Sequence, residues 1–497
     1  MNETPTNFWK QPLRGPVRLL ACLALAVAVT FIIVYGIALG TGMTTGGSER
    51  VAFALIVSLV MVGLVTAGVM AVRWLCSWRN LRRALFGAAC VLTLLVLAYA
   101  EENWRGHHAW QKHRRQWEAK GEKFGSAAMV PPAVPDEKNF ALTPLLKPVL
   151  DLTQGPTGVV WHDTNGIARL EKISADLSPN RNTNDHLVLG SLEKGTFADL
   201  RACAEFYRGN TNYPQCANSG PAAETILVAL GKFDAELQEL HQAALSRPYA
   251  RFPVQWEFEP PWAILLPHLA RVKMLTTLVQ VRATAELEAG RSPEAFEDWK
   301  LGWRLSDSIH QEPILIDHLV RVATLAIDLQ TLREGLLRHA WTEAQLAELE
   351  SHLNSVDLLA EYKLAMRGER ALTTGGLDYL RRQGFRNNPM DYLGTDGGVA
   401  RTGLGFNLMP SGWFYQNMLT MSELFQDYTL STVDERAHRV FPQVSENGGR
   451  ALEKLRTGPY TIFVKLLMPA LGRAAQKSAR MQTYVDATRV ACALERH

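Results

Sequence analysis

The sequence predicts a mainly α-helical protein: three N-terminal transmembrane helices, then an extracytoplasmic, irregular domain of stacked helix hairpins with a few short strands. Three observations predict it. The first hundred residues are strongly apolar and the rest polar. Beyond them, apolar residues recur at i, i+3, i+4 and i+7. Lys and Arg are placed unevenly around the apolar runs, which sets an orientation.

The chain has 497 residues, more than one core usually holds, so two or three structural units are expected. It is 47% hydrophobic and 20% charged, ordinary for a folded protein. Mean hydropathy is −0.06, an average over two unlike parts. A net charge of +3 gives no ground for a nucleic-acid partner. Six cysteines make no disulfide framework in a chain this long. Cys22, Cys76 and Cys90 lie in or beside apolar runs and read as small apolar residues. Cys203 and Cys216 fall where oxidation is permitted; they either pair across RGNTNYPQ or remain two thiols.

Residues 1–16 form a tail, and residues 17–100 a membrane domain with spans at about 17–41, 51–72 and 84–100. Each run approaches or exceeds the ~20 apolar residues needed to cross hydrocarbon. Lipid offers backbone groups no partner, so each must be helical. The tail carries Lys10, Arg14 and Arg18 against Glu3, and the loop RWLCSWRNLRR carries four arginines and no acid. Tail and second loop are therefore cytoplasmic, and the chain after Ala100 lies outside, anchored in the cytoplasmic (inner) membrane. A cleaved signal peptide is excluded by the length of the first run and by the two spans that follow. Cys22 opens its apolar run instead of closing it, which excludes a lipid-attachment box.

Residues 101–150 comprise a charged helix and a Pro-rich connection. In Glu101–Phe124, Trp110 and Trp117 share a face, which reads as a stalk packed on its own domain or as a contact with lipid headgroups or a partner. His107, His108 and His113 lack the carboxylate or cysteine pattern of a metal site and read as solvated. Five prolines in 130–148 exclude a regular helix there. Residues 151–260 read as a mixed subdomain, with short strands in GVVWHD and ARLEKI around a turn at Thr164-Asn165-Gly166. Helices follow at Phe197–Tyr207, Ala222–Leu230 and Phe233–Leu245.

Residues 261–497 read as a helical domain. Its best helices are Trp262–Ala289, Pro293–His310, Pro313–His339 and Thr342–Arg367. Gly290 ends the first, Ser292-Pro293 starts the second, Pro313 takes the first helical position of the third, and Thr342 with Gln345 makes a capping box before the fourth. AELEAGRSPEAFEDWKLGWRLSD has the cadence of one tetratricopeptide (TPR-like) hairpin, without a copy 34 residues away. Gly375–Gly412 is rich in Gly, Asn and Asp and reads as a long loop. Helices resume at Trp413–Thr432 and from Arg450; Tyr460–Leu471 is too short to span and reads as a docked helix. The chain stops inside a helical pattern, TRVACALERH, which suggests a missing tail.

ENWRGHHAWQKHRRQWEAKGEKF, NFALTP, LLPHLARVK, EPILIDHLVRVA and AMRGERAL together resemble a group of uncharacterised bacterial membrane-anchored helical proteins, over roughly residues 101–497. The resemblance implies the anchored helical architecture and no established activity. It also implies a continuation, after VDATRVACALERH, into a short domain similar to the globular part of pseudopilins. Three spans exceed what the group implies, so an anchor variant is expected.

Candidate chemistry is confined to polar clusters. His310, Glu312, Asp317 and His318, with Arg321 a turn later, supply metal-ligand or general-base types. Pro313 breaks their register, and the H-E-x-x-H spacing is absent. The simpler reading makes Glu312 a carboxylate at a helix N-terminus and His318 a partly buried helix residue. Arg367-Gly368-Glu369-Arg370 suits either anion binding or the pinning of helix ends, the latter favoured. His268, on an apolar face, reads as a core histidine. No cofactor or metal motif occurs. The expectation is a non-enzymatic interaction or structural subunit of a bacterial envelope complex, whose partners are the bilayer and an envelope protein. The alternative is an extracytoplasmic, hydrolase-like enzyme using His310, Glu312, His318 and Arg370. The spans carry no internal charge to form an ion path, which disfavours transport.

Overall fold

The computed structural model describes residues 16–41, 47–75, 78–125, 127–155, 158–177, 189–216, 220–383, 409–468 and 473–497. The chain divides into two compact units, Met1–Ala100 and Glu101–His497. Helix dominates both.

The first unit holds α1 (Pro16–Thr41), α2 (Gly47–Leu75) and the first part of α3 (Trp78–Glu118). α1 packs on α2. Their few hydroxyls turn back onto the helix: Thr30 Oγ1 donates to Ala26 O at 2.7 Å and Ser58 Oγ to Ala54 O at 2.6 Å. These two hydroxyls are thus satisfied within their own helices. Large apolar side chains such as Ile32, Leu64 and Phe86 are exposed. Windows at Cys22–Leu39 and Val51–Met70, and one within Trp78–Glu118, are long and apolar enough to cross a membrane, which points to membrane association. Pro261–Glu288 also qualifies, less strongly, but 39% of its window is buried by protein.

The expected third span and charged helix form one continuous element, which ends at Glu118 and not near Phe124. Gly121 takes φ +91°, and the Glu122 N–H turns back to Trp117 O at 3.0 Å, closing the last turn.

In the second unit, the Pro-rich connection runs as short 3-10 turns and lies on residues 247–251. Asn139 makes that attachment: its amide donates to Arg251 O at 2.8 Å and its carbonyl accepts from Arg251 N at 2.9 Å. A hairpin follows, β1 (Leu152–Gly155) with β2 (Gly158–Trp161). ARLEKI, expected as a strand, lies within α4 (Thr164–Leu177). Asp163 Oδ1 accepts from the Gly166 N–H at 2.8 Å and caps the helix, and Ile167, Leu170 and Ile173 bury one face. A period of three to four, not two, is what those residues carry.

A second hairpin, β3 (Leu189–Ser191) with β4 (Thr196–Ala198), leads to α5 (Leu200–Arg208), α6 (Ala222–Leu230) and α7 (Asp234–Ser246). Cys216 is an unbridged thiol, so it forms no disulfide with Cys203. The central layer is the antiparallel pair α8 (Pro267–Glu288) and α9 (Ser292–Asp307) with α10 (Leu315–Leu337). Gly290, at φ +73°, closes the α8–α9 turn as expected. α10 begins two residues past Pro313, and Pro313 itself lies outside the helix. The expected Thr342–Arg367 helix is split into α11 (Glu343–Asn354) and α12 (Leu358–Gln383). Asp357 Oδ1 accepts from the Leu359 and Ala360 N–H groups, starting a new helix at the break.

α12 continues nine residues into the stretch expected as a loop; residues 384–408 of that stretch lie outside the described residues. Its Gly375-Gly376 pair would weaken an isolated helix, but Trp262 packs against Gly376 so closely that a Cβ would stand 3.1 Å from the indole. Then come α13 (Ser411–Leu424), a π turn at Phe425–Thr429, the short pair β5 (Val433–Asp434) and β6 (Arg439–Val440), α14 (Pro442–Lys454), the short α15 (Ile462–Leu467) with Phe463 and Val464 buried, and α16 (Ala474–Glu495). α16 packs on α10, α11 and α12.

Candidate functional site

α7, α8, α9 and α11 enclose a cleft of about 700 Å³. Helical periodicity places its groups. Arg282 and Glu286 stand one turn apart on α8, Asp298 and Lys300 lie on α9, Glu348 and His352 lie on α11, and His241 comes from α7. At its centre Arg282 grips Asp298 with both prongs of its guanidinium, Nε to Oδ2 at 2.5 Å and Nη2 to Oδ1 at 2.6 Å. A third arm reaches Asp234 Oδ1 at 3.2 Å. His241 Nε2 meets Asp298 Oδ1 at 3.0 Å. Such a fork fixes a carboxylate in direction.

Glu286 differs. One carboxyl oxygen is buried without a hydrogen-bond partner. Burial, then the negative charge of Asp298, pushes its pKa up to about 8. The cleft thus sets a carboxyl of raised pKa beside one held by an arginine fork. His352 stands against Trp299 and Trp303, each ring centroid 5.6 Å away, and burial lowers its pKa.

Asp307, on the cleft wall, begins an ionic chain into the core. Arg321 Nη2 reaches Asp307 Oδ1 at 3.4 Å, and Arg321 Nε lies 3.7 Å from Glu361 Oε2. His318 Nδ1 is 4.0 Å from that same oxygen, and its Nε2 meets Ser478 Oγ at 2.6 Å. Burial raises Glu361 to about 7, and burial with the Arg321 charge lowers His318 to about 4.

A separate cluster gathers His268 of α8, Glu312 before α10 and Asp317 of α10. His268 Nε2 and Glu312 Oε2 are 2.8 Å apart, and the imidazole stacks on Phe252 at 4.4 Å. Each of the three offers one ligand atom, and these atoms all lie within 4.8 Å of one another. Burial lowers His268 to about 4; burial, then the Glu312 charge, raises Asp317 to about 9.

The expected site residues are therefore divided among different surroundings. His310 Nδ1 donates to Asp307 O at 2.6 Å, on its own turn. Glu312 joins His268, and His318 joins Ser478. Arg370 is buried against Glu122, Nη2 to Oε2 at 2.9 Å. His268 is a core histidine, as read, but one with a carboxyl partner. His107 packs on Tyr415, His108 on Trp104, and buried His113 meets Ser422 Oγ at 2.9 Å. The cleft residues His241, Arg282, Glu286 and Asp298 escaped sequence reasoning. Their only local signal is the Arg282–Glu286 spacing on a helix that otherwise reads as core.

Compared with known proteins, the chain matches no family model, no curated protein and no solved structure.

Proposed function

We propose that the chain is an inner-membrane protein whose three N-terminal spans display a helical domain outside the cytoplasm, where the cleft receives a segment of another envelope protein. Arginine asymmetry around the spans supports the orientation. The single observation that carries the interaction reading is the cleft: a concave, charged surface on four helices, with Arg282 and Asp298 already locked together before any partner arrives. Preorganised charge gives specificity for a polar, complementary segment at low ordering cost.

Photo-crosslinking tests it in native membranes. A crosslinker at Glu297 or Glu348, both on the cleft, is expected to capture one defined species from the envelope. The same crosslinker at Lys477, away from the cleft, is expected to capture none. Equal patterns from all three positions would remove the cleft as the docking surface. Protease added to cells stripped of their outer layer is expected to digest the second unit, and its protection would reverse the orientation.

The raised pKa of Glu286, beside an Asp298 held by the Arg282 fork, favours a second reading, an extracytoplasmic hydrolase in which Glu286 donates a proton. On this reading the acid is Glu286 rather than His310, Glu312, His318 or Arg370. A panel of ester, peptide and glycoside substrates should then reveal turnover that Glu286→Gln abolishes; wild-type inactivity across the panel rejects it.

A further inference from the structure

We propose that His268, Glu312 and Asp317 form a binding site for one divalent transition-metal ion of the Zn²⁺ or Mn²⁺ class. The site is separate from the cleft and independent of either reading of it.

The donor set supports this assignment. One imidazole nitrogen with two carboxylates suits a borderline metal, whereas all-oxygen sets suit Ca²⁺ or Mg²⁺. Ligand atoms around a tetrahedral zinc stand about 3 to 4 Å apart, given metal–ligand bonds of about 2.0–2.2 Å. Those of this cluster already lie within 4.8 Å of one another, so small side-chain rotations close the set.

The second observation is unmet bonding capacity. Asp317 is 0% exposed, yet neither of its carboxyl oxygens makes a well-formed hydrogen bond. His268 is 1% exposed, and its Nδ1 likewise has no partner. Three buried polar atoms without a well-formed partner are costly, since buried polar groups are usually satisfied. A cation there would take the lone pairs that the protein leaves unused.

The surroundings hold the donors in place. Phe252 stacks on the imidazole, fixing its plane. Glu369 stands behind Asp317, accepts the Leu315 N–H at 3.4 Å and adds negative charge to the pocket. The Glu312-Pro313 turn lies directly against α12, where Gly368 leaves room for Pro313 O. Glu312, 10% exposed at its side chain, is the most accessible of the three and offers the ion a way in.

The test uses the full chain purified in detergent without chelator. Elemental analysis is expected to find about one Zn or Mn per chain. After stripping with EDTA, added Zn²⁺ or Mn²⁺ is expected to raise the melting temperature with concentration, as a ligand of the native state must. Asp317→Asn keeps the shape of the pocket and removes one ligand; it is expected to lose both the metal and the shift. Glu312→Gln serves the same purpose if Asp317→Asn does not fold. His310→Ala, which removes a histidine outside the cluster, is expected to leave both intact. A stripped wild type indifferent to both ions overturns the proposal, and so does an Asp317→Asn protein that binds metal like wild type. Loss of cleft crosslinking with metal binding retained would strike the interaction reading alone.

Discussion

Glu122, just past the end of α3, reaches the fully buried guanidinium of Arg370 on α12, with Nη2 to Oε2 at 2.9 Å. Its other oxygen takes Arg367 Nε at 3.1 Å, and the two arginines hold its pKa low against the opposing effect of burial. Arg370 also donates to Lys123 O at 2.8 Å and lies over the Phe124 ring at 4.4 Å. The segment leaving α3 is thereby bound to the helical core, as the helix-pinning reading of Arg367–Arg370 anticipates.

Glu122→Gln should leave the Arg370 charge buried and uncompensated. Removing one partner of a buried pair typically costs about 3–5 kcal/mol. Denaturant unfolding of the full chain in detergent should show a loss in that range. A loss under ~1 kcal/mol, the worth of an exposed pair, would mean water reaches the arginine.

Gly368→Ala tests a close backbone approach in the second unit. A Cβ there would overlap Pro313 O and stand 2.5 Å from its carbonyl carbon. Neither atom can swing aside, so α12 and the Glu312-Pro313 turn must separate. Thermal melting should report a loss above about 2 kcal/mol, the overpacking range. Gly376→Ala faces only the Trp262 ring at 3.1 Å and should cost less.

Stability should fall as pH rises from about 5 to 8. Glu286 is raised from 4.5 to about 8, Glu361 from 4.5 to about 7 and Asp328 from 3.8 to about 7, each chiefly by burial. Acids with raised folded pKa values contribute stability below their unfolded values and lose it as pH climbs through the folded ones. His318, lowered from 6.5 to about 4, acts oppositely, contributing above 6.5 and losing that as pH falls towards 4. These carboxyls, with Asp317 raised to about 9, outweigh His318 and His268, both lowered to about 4, across the neutral range. Glu286 faces Asp298, Arg282 and Glu294, so Glu286→Gln should flatten the alkaline part of a melting-temperature profile. An unchanged slope would show that Glu286 is already ionised in the fold.

Thr342→Ala gives a calibrating measurement. Thr342 Oγ1 accepts from the Gln345 N–H and Gln345 Oε1 from the Thr342 N–H at 2.9 Å, a complete capping box. Its removal should cost about 1 kcal/mol. A loss several times larger would mean α11 is held by its cap more than by Leu346, Leu349 and Leu353, its buried face.

Local rules read well wherever one side chain serves its own neighbours. The box at Thr342, the turn at Gly290 and a short helix within Tyr460–Leu471 all followed from spacing and composition. The failures were of another kind. ARLEKI satisfied a strand pattern by residue type, yet Asp163 and a buried face made it helix. The glycines at 375 and 376 suggested a loop because Trp262, which packs on Gly376, lies over a hundred positions earlier.

From sequence alone came the apolar runs, the helical character and the charge asymmetry. Each depends on residues near one another in the chain, where period, length and composition speak directly. The cleft and the His268–Glu312–Asp317 cluster belong to tertiary structure alone. His241 meets Asp298 across 57 residues, and His268 meets Glu312 across 44. Burial then moves their proton affinities, and burial depends on what packs on each group from elsewhere in the chain.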